Sequence, residues 1–206
     1  MSTLEQLLSR VSVHPQLLGA PAPTAAHLDA ILDAALRAPD HGRLRPWRFL
    51  LIRGVARARR GEVFAAALAA RDPGATEPML QRECARPLSA PLVIAIAAEI
   101  RADHPVPEIE QLLSTGAAAM NMLNAIHALG YGGMWVTGAN AYDPNVRAAL
   151  GLNAAGRLVG FLYVGTPVAA QAVPKRPDRM RHVVEWTAPV GDLPEAVSDL
   201  KVTARS

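Results

Sequence analysis

Two short segments near the N-terminus each place an arginine and a hydrogen-bonding side chain just beyond the end of a predicted helix. Arg10 and Ser12 form the first pair, and Arg37 and His41 form the second. A guanidinium donates several N–H groups in one plane, which suits phosphate oxygens or the carbonyl edge of a planar ring. The two pairs therefore indicate a planar, phosphorylated ligand. The alternative for each arginine is a cation that balances the dipole at a helix C-terminus.

Helix-capping signals position both pairs. A capping box at residues 2–5 predicts a short helix that ends just before the first pair. Thr24 predicts the start of a second helix, whose apolar residues follow the helical period. Pro39 ends this helix, so we expect Arg37 in its last turn and His41 in the loop beyond it.

The other predicted helices and strands follow one another in a mixed order, without regular alternation. Strands are predicted over 47–52, 91–97, 131–137 and 158–165, helices over 55–71, 77–86, 107–129 and 143–150, and an extended connection over 14–23. The run 91–97 has no polar residue, which is typical of a central strand covered on both faces. Arg57, Arg59 and Arg60 are expected on the solvent face of their helix. The order predicts a single α+β domain over residues 1–206.

The C-terminal region is predicted to serve assembly. Residues 182–186 are a candidate for one more strand, and the chain from about residue 178 reads as a tail. Val183, Val184 and Trp186 are apolar enough to need cover. We expect the tail to wrap a partner subunit, which would supply that cover.

Several classes of site are absent from the sequence. It contains no dinucleotide-binding glycine motif, no Walker loop and no nucleophile elbow. His27 and His127 have no histidine or cysteine at metal-ligand spacing, so no metal site is predicted. Cys84 is the single cysteine, which rules out an intrachain disulfide, and we interpret it as structural.

Charge and hydropathy constrain the partners. The net charge is +3, but the arginines are scattered, so nucleic-acid binding is only a weak alternative to solubility or one anionic cofactor. The stretch between Glu110 and Asp143 carries no Asp, Glu, Lys or Arg and is long enough to span a bilayer. Its amides and glycines favour a buried helix followed by a strand instead. We therefore predict no membrane segment, and a cytoplasmic location by default because no signal peptide is evident.

Three motifs in register resemble the FMN-dependent nitroreductase family. The segment from Arg37 to Phe49 resembles the family's Arg-Ala-Pro-Ser/Asp…Gln-Pro-Trp-x-Phe motif, and its Asp-His version resembles a small subgroup of short NAD(P)H nitroreductases. The likeness continues through Trp-Val-Thr-Gly at 135–138 and Gly-Phe-Leu-Tyr-Val-Gly-Thr-Pro at 160–167. It covers roughly residues 4–167.

The resemblance implies a fold and a cofactor site. The family fold is α+β, a central, mostly antiparallel sheet flanked by helices, in a homodimer that exchanges C-terminal segments. FMN contacts are assigned to Arg10, Ser12, Arg37, His41, Trp135, Val136 and Thr137. The first two would come from one subunit and the next two from the opposite subunit, with the last three acting largely through backbone. Residues 125–130 correspond to a region proposed to approach the nicotinamide nucleotide.

The implied activity is electron transfer from NAD(P)H to a small-molecule acceptor by a ping-pong mechanism. Nitroaromatics and quinones are the implied acceptors, and no single catalytic side chain is required. Two alternatives share the fold: a reductive dehalogenase or other flavin reductase, and a non-enzymatic FMN-binding protein.

The sequence departs from the family pattern at several positions. Val11 stands where the family often has a second arginine, and Arg45 replaces the expected glutamine before Pro46. His14 stands where many members have a basic residue, and a neutral imidazole would stabilise a reduced flavin less than lysine. Many family members have a basic residue near the C-terminus that contacts the FMN phosphate. Lys175 and Arg176 are both candidates for this contact, and the sequence does not distinguish between them.

Overall fold

The apolar run after Pro91 becomes a central strand of a five-stranded sheet in the computed structural model, which describes residues 2–183. The strands are β1 (Leu18–Gly19), β2 (Trp47–Arg53), β3 (Leu92–Glu99), β4 (Gly132–Val136) and β5 (Gly156–Pro167). The helices are α1 (Thr3–Ser9), α2 (Ala25–Ala35), α3 (Ala56–Arg71), α4 (Glu77–Ala85), α5 (Glu108–Ala128), α6 (Ala139–Tyr142) and α7 (Pro144–Ala149).

Every strand pair in the described part of the chain is antiparallel. The long strand β5 organises the sheet, because β3 and β4 both pair with Val164 and therefore lie along opposite edges of it. Strand β2 extends the sheet beyond β3, and β1 pairs with Thr166 and Pro167 at the end of β5. The predicted α+β class with an antiparallel sheet flanked by helices is confirmed.

Alternate side chains of β3 enter two different cores. Leu92, Ile94 and Ile96 pack in a cluster with residues of α2 and α5, whereas the residues between them pack in a second cluster with residues of α3 and α7. Each large aliphatic side chain that is fully buried in this way contributes roughly 1.5–3 kcal/mol. The sheet is therefore covered on both faces, as the unbroken apolar run predicts.

Helix α5 is the longest helix of the described chain and ends as predicted. It follows Pro107, and Gly130 beyond its last turn has φ +82°, which glycine adopts without strain. Between residues 2 and 183, no helix is long and apolar enough to cross a membrane. The capping box predicted before α1 is present, and Thr24 accepts a hydrogen bond from the His27 N–H at the start of α2.

Two expectations need correction here, and one short helix was not predicted. The connection over 14–23 is not simply extended, because it contains a 3₁₀ turn at Pro15–Leu17 and the short strand β1. The helix predicted over 143–150 is α7, and the four-residue helix α6 before it was not predicted. Helix α2 ends at Ala35, so Arg37 lies just beyond it rather than in its last turn.

Arg60 does not lie on the solvent face of α3. Its residue is only 4% exposed, and its guanidinium stacks on the rings of Phe64 and Phe161. The position falls on the buried stripe of the helix together with Phe64 and Ala67, at a spacing of four and three residues. The expectation that Arg60 is solvated is therefore wrong, because the helical register outweighs the charge of the residue.

Residues 2–171 form one compact unit, and residues 172–183 fall in a second. In the second unit, Asp178 accepts a hydrogen bond from the Met180 N–H and caps a 3₁₀ turn at Arg179–Arg181. Within the strand predicted over 182–186, residues 182 and 183 are not in a strand, and the rest lies outside the described residues. The partner-wrapping tail and the single-domain boundary stay predictions.

Candidate functional site

Helix α5 runs beside the predicted site residues and shows how far apart they lie. Near its C-terminal end, His127 Nε2 lies 3.1 Å from Ser9 Oγ, directly before Arg10. Near its N-terminal end, Glu110 Oε2 lies 2.6 Å from His41 Nδ1. A helix rises 1.5 Å per residue, so these two contacts are roughly 26 Å apart along α5. Arg10 and His41 of one chain therefore lie near opposite ends of this helix.

The segment from Arg10 to Val13 runs beside strand β4. The Val13 N–H donates to the Gly133 carbonyl over 3.1 Å, which holds the segment against the start of the strand. Ser12, the residue before this contact, is exposed. The structure therefore brings Arg10 and Ser12 to the strand that carries residues 135–137.

Trp135 is fixed within the sheet, and Thr137 is exposed just after β4. The Trp135 indole N–H donates to the Val159 carbonyl over 3.3 Å. Gly160 makes room for the indole, because a Cβ at that position would overlap Trp135 Nε1. Val136 is half-buried and Thr137 is exposed, so the chain leaves the sheet at the surface. These residues can act through backbone groups, as the resemblance implies.

Arg37 occupies a different place in the chain. Its exposed side chain lines an open cleft of about 360 Å³ between α1, the end of α2 and α5. The Asn121 side chain donates to the Ala34 carbonyl over 3.1 Å and holds the end of α2 against α5. Arg37 therefore shares the cleft with α1 residues such as Leu7, whereas β4 contributes nothing to it.

The turn after Arg37 has an unusual backbone. Gly42, Arg43 and Arg45 have φ values of +70°, +54° and +51°. The Asp40 carboxylate accepts a hydrogen bond from the Arg45 N–H over 2.8 Å and stabilises the turn. Left-handed backbone at non-glycine residues costs of order 1 kcal/mol or more and is concentrated at functional sites. The turn that presents His41 is held in this conformation by its own carboxylate contact.

A basic cavity of about 400 Å³ lies beside β4, on the side of the sheet that carries α4. The cavity is lined by His14, Pro15, Gln16, Arg82, Ala85, Arg86, Ser89, Met134, Val136 and Tyr163. It brings together the segment after Ser12 and the strand that carries the predicted contact Val136. Its two guanidinium groups, its hydroxyls and its amide are donors for phosphate or carbonyl oxygens, while Met134 and Val136 offer apolar contact.

Arg82 and Arg86 were not predicted as site residues. They stand four residues apart, one turn of helix, and this spacing was the available signal in the sequence. Arg82 and Arg86 lie near His14 and Val136 because α4 packs on α3. Gly61 of α3 permits this docking, because a Cβ there would overlap the carbonyl oxygen of Cys84 in α4.

Arg60 lies behind one wall of the basic cavity. Its Nη2 donates to the Tyr163 hydroxyl over 3.0 Å. Burial lowers the pKa of Arg60 to about 10, although the tyrosine partly opposes this effect. Burial also raises the pKa of Tyr163, while Arg60 and Arg86 oppose that shift. Tyr163 is therefore a neutral hydroxyl at ordinary pH, and Arg60 remains a cation.

Two further histidines, His27 and His127, have side-chain partners of their own. His27 Nδ1 lies 3.0 Å from the Tyr131 hydroxyl, and His127 pairs with Ser9 as described above. In the part of the chain that the structure covers, no group of three or more His, Cys, Asp or Glu side chains could hold a metal ion.

A family model with the description "Nitroreductase family" matches residues 7–166. The chain is 41% identical over 168 residues to the Escherichia coli (strain K12) protein named "Putative NAD(P)H nitroreductase YdjA", covering 81% of this chain and 89% of that protein. The family-model match spans the basic cavity and the segments that form it. The chain belongs to the nitroreductase family, whose members are oxidoreductases, and the predicted resemblance and enzyme class are confirmed.

Solved structures agree on the fold. A nitroreductase-like protein from Bacillus cereus has a TM-score of 0.77 at 22% identity, covering 91% of this chain and 97% of that one. A nitroreductase from Bacteroides fragilis NCTC 9343 was solved with bound FMN and has a TM-score of 0.68 at 20% identity, covering 91% of this chain and all of that one. At these identities the likeness shows the shared fold alone.

Proposed function

We propose that this chain is an FMN-dependent oxidoreductase that passes electrons from NAD(P)H to nitroaromatic or quinone acceptors. The observation that carries the proposal is the basic cavity, where the chain after Arg10 and Ser12 meets Val136 beside two cavity arginines. Its donors suit the carbonyl groups and phosphate of FMN, and its apolar wall suits a planar ring. FMN bound to a Bacteroides fragilis relative of the same fold supports this assignment.

A second copy of the chain would complete the site. Arg37 lines a cleft beside α5. His41 lies near the opposite end of α5 from Arg10, so one mononucleotide cannot reach both Arg10 and His41 of one chain. The outer face of α5 supports a dimer, because Ile109, Leu113 and Met120 are 42–64% exposed. No Asp, Glu, Lys or Arg interrupts the helix from residue 111 to 128. An uncharged helix face of this kind is ordinarily buried.

In this arrangement the protein residues bind and orient the reactants. Arg10, Ser12 and the cavity arginines Arg82 and Arg86 would hold the polar groups of FMN, which supplies the two-electron redox chemistry when bound. Arg37 and His41 would donate from the opposite subunit. The backbone around Thr137 would add N–H donors where negative charge develops. No side chain needs to act as an obligate proton donor, so NAD(P)H and the acceptor would use the same space in turn.

Arg37→Ala tests the assigned site. We expect the variant to retain at least tenfold less FMN than the wild type, since a charge-assisted hydrogen bond is lost, while its circular dichroism and melting temperature stay unchanged. Arg53→Ala, at the exposed end of β2, is the matched control and should retain FMN normally. Unchanged FMN occupancy in Arg37→Ala would count against the shared site.

Turnover tests the activity separately. The FMN-loaded protein should oxidise NADPH or NADH in the presence of menadione or nitrofurazone, with parallel lines in double-reciprocal plots as expected of a ping-pong mechanism. Full FMN occupancy without turnover of either acceptor would instead favour a non-enzymatic FMN-binding protein.

A further inference from the structure

Glu83 is a buried carboxylate that faces the wall of the basic cavity. The residue is 8% exposed, and both of its oxygens accept hydrogen bonds. Oε1 accepts from Arg86 Nε over 2.9 Å, and Oε2 accepts from the Asn140 side-chain amide over 2.7 Å. A buried carboxylate is tolerated when it is paired in this way, and the loss of one partner is costly.

The contact with Arg86 leaves the rest of that guanidinium free for a ligand. Arg86 lines the basic cavity, and its side chain is 51% exposed. Glu83 holds the Nε edge, so the two Nη groups keep their donors for whatever enters the cavity. The contact restricts the orientations of this flexible side chain, which lowers the entropy lost when it binds a ligand.

The contact with Asn140 ties the cavity wall to the segment after β4. Asn140 belongs to α6, which begins two residues after the predicted contact Thr137. Its side-chain oxygen accepts from Arg71 Nη2 over 3.0 Å, and Arg71 Nη1 donates to Asp143 over 2.9 Å. The polar chain thus runs from the cavity through α4 and α6 to α3 and α7.

We propose that Glu83 is a positioning residue for the cofactor site, holding Arg86 at the cavity wall in fixed relation to the backbone after β4. This role rests on the proposed function, because it assumes that FMN occupies the basic cavity. It differs from a purely structural role in one measurable respect. The effect of removing the Glu83 charge on FMN affinity must depend on the presence of Arg86.

The test is a double-mutant cycle of Glu83→Gln and Arg86→Met, read out as the FMN dissociation constant and the melting temperature. Glutamine keeps the shape of Glu83 but presents an N–H₂ group to one of its two donors. We expect Glu83→Gln to weaken FMN binding about tenfold in the wild-type background and less than twofold in the Arg86→Met background. Glu77→Gln, on the same helix, is the matched control, because Glu77 bonds Gln81 and does not line the cavity.

The outcomes separate the two ideas. An equal loss of affinity in both backgrounds would show that Glu83 does not act through Arg86, which would overturn the positioning role. An unchanged affinity in Glu83→Gln would overturn it as well, while leaving the proposed function intact if the wild type binds FMN. A wild-type protein that binds no FMN would contradict the proposed function and this role together.

Discussion

At the scale of single residues, Arg60 is a buried cation with an electrostatic cost. Its guanidinium is desolvated and lies against aromatic rings, and no carboxylate forms an ion pair with it in residues 2–183. A pKa lowered from 12.5 to about 10 corresponds to a burial cost of about 3 kcal/mol for the charged form. This is the net cost, after the hydrogen bond to Tyr163 has offset part of the burial penalty.

Arg60→Met is therefore expected to stabilise the protein. Methionine keeps an unbranched stem against Phe64 and Phe161 and removes the buried charge, so the free energy of unfolding in urea should rise by about 1–2 kcal/mol at pH 7. Arg59→Met, at the exposed neighbouring position, should change it by less than about 0.5 kcal/mol. If Arg60→Met instead lowers the free energy of unfolding by more than about 0.5 kcal/mol, the contacts of the guanidinium with the aromatic rings outweigh its desolvation cost.

Only those residues of the candidate site that belong to a local sequence motif could be predicted. Arg10, Ser12 and Val136 follow from short segments that keep their family pattern, and the structure brings these three to one strand. Arg82 and Arg86 carry no local signal beyond their spacing, since they reach the site through the packing of α4 on α3. Contacts between elements distant in sequence are set by tertiary packing, which periodicity alone does not report.

At the scale of elements, length decided which predictions succeeded. The strand β3 and the helix α5 have long, regular apolar patterns, and both are confirmed. The two-residue strand β1 and the four-residue helix α6 are too short for a periodic pattern to repeat, so they were missed. Their positions depend on partners, since β1 pairs with the end of β5 and Asn140 of α6 is held by Glu83.

Asp143 joins the polar chain to the start of α7 and gives stability a pH dependence. Burial alone would raise the pKa of this carboxyl, but Arg71 and two backbone N–H groups of α7 lower it below its usual value. A lowered pKa in the folded state means that the stabilisation is present above the unfolded value near 3.8 and is lost as the pH falls below it.

Asp143→Asn should therefore lower the free energy of unfolding by about 1–3 kcal/mol at pH 7, because asparagine keeps the helix cap but loses the charge opposite Arg71. The difference from the wild type should shrink as the pH is lowered through about 4, as measured by urea unfolding across that range. Asp72→Asn, a surface aspartate that also accepts from a backbone N–H, is the control. If the free energies of unfolding of Asp143→Asn and the wild type differ by a constant amount from pH 7 to pH 3, the charge of Asp143 is not the source of the difference.

At the scale of the whole molecule, the outer face of α5 exposes the apolar side chains Ile109, Leu113 and Met120. The apolar side chains Leu4, Leu7 and Leu8 of α1 are 47–68% exposed, and α1 contacts α5. These side chains and the exposed apolar residues of α5 lie on two helices in contact, and contiguous apolar patches of this kind mark interaction surfaces. A second copy of the chain is the occupant that would also bring Arg37 and His41 to the basic cavity.

Leu113→Asp should therefore convert a dimer into monomers and lower FMN retention at the same time, because the opposite subunit's donors are lost. Light scattering coupled to size-exclusion chromatography measures the first effect, and the flavin absorbance of the eluted peak measures the second. Val55→Asp changes an equally exposed apolar residue at the start of α3 and should leave both unchanged. Loss of the dimer with full FMN retention would remove the need for a shared site.

We propose that the two chains of a dimer form equivalent FMN sites from residues of both. The most direct measurement is the mass of the purified protein after FMN addition, read by light scattering together with absorbance near 450 nm. We expect a dimer that carries two FMN molecules and keeps them through gel filtration. A monomer that binds FMN, or a dimer that stays colourless after incubation with it, would contradict the account.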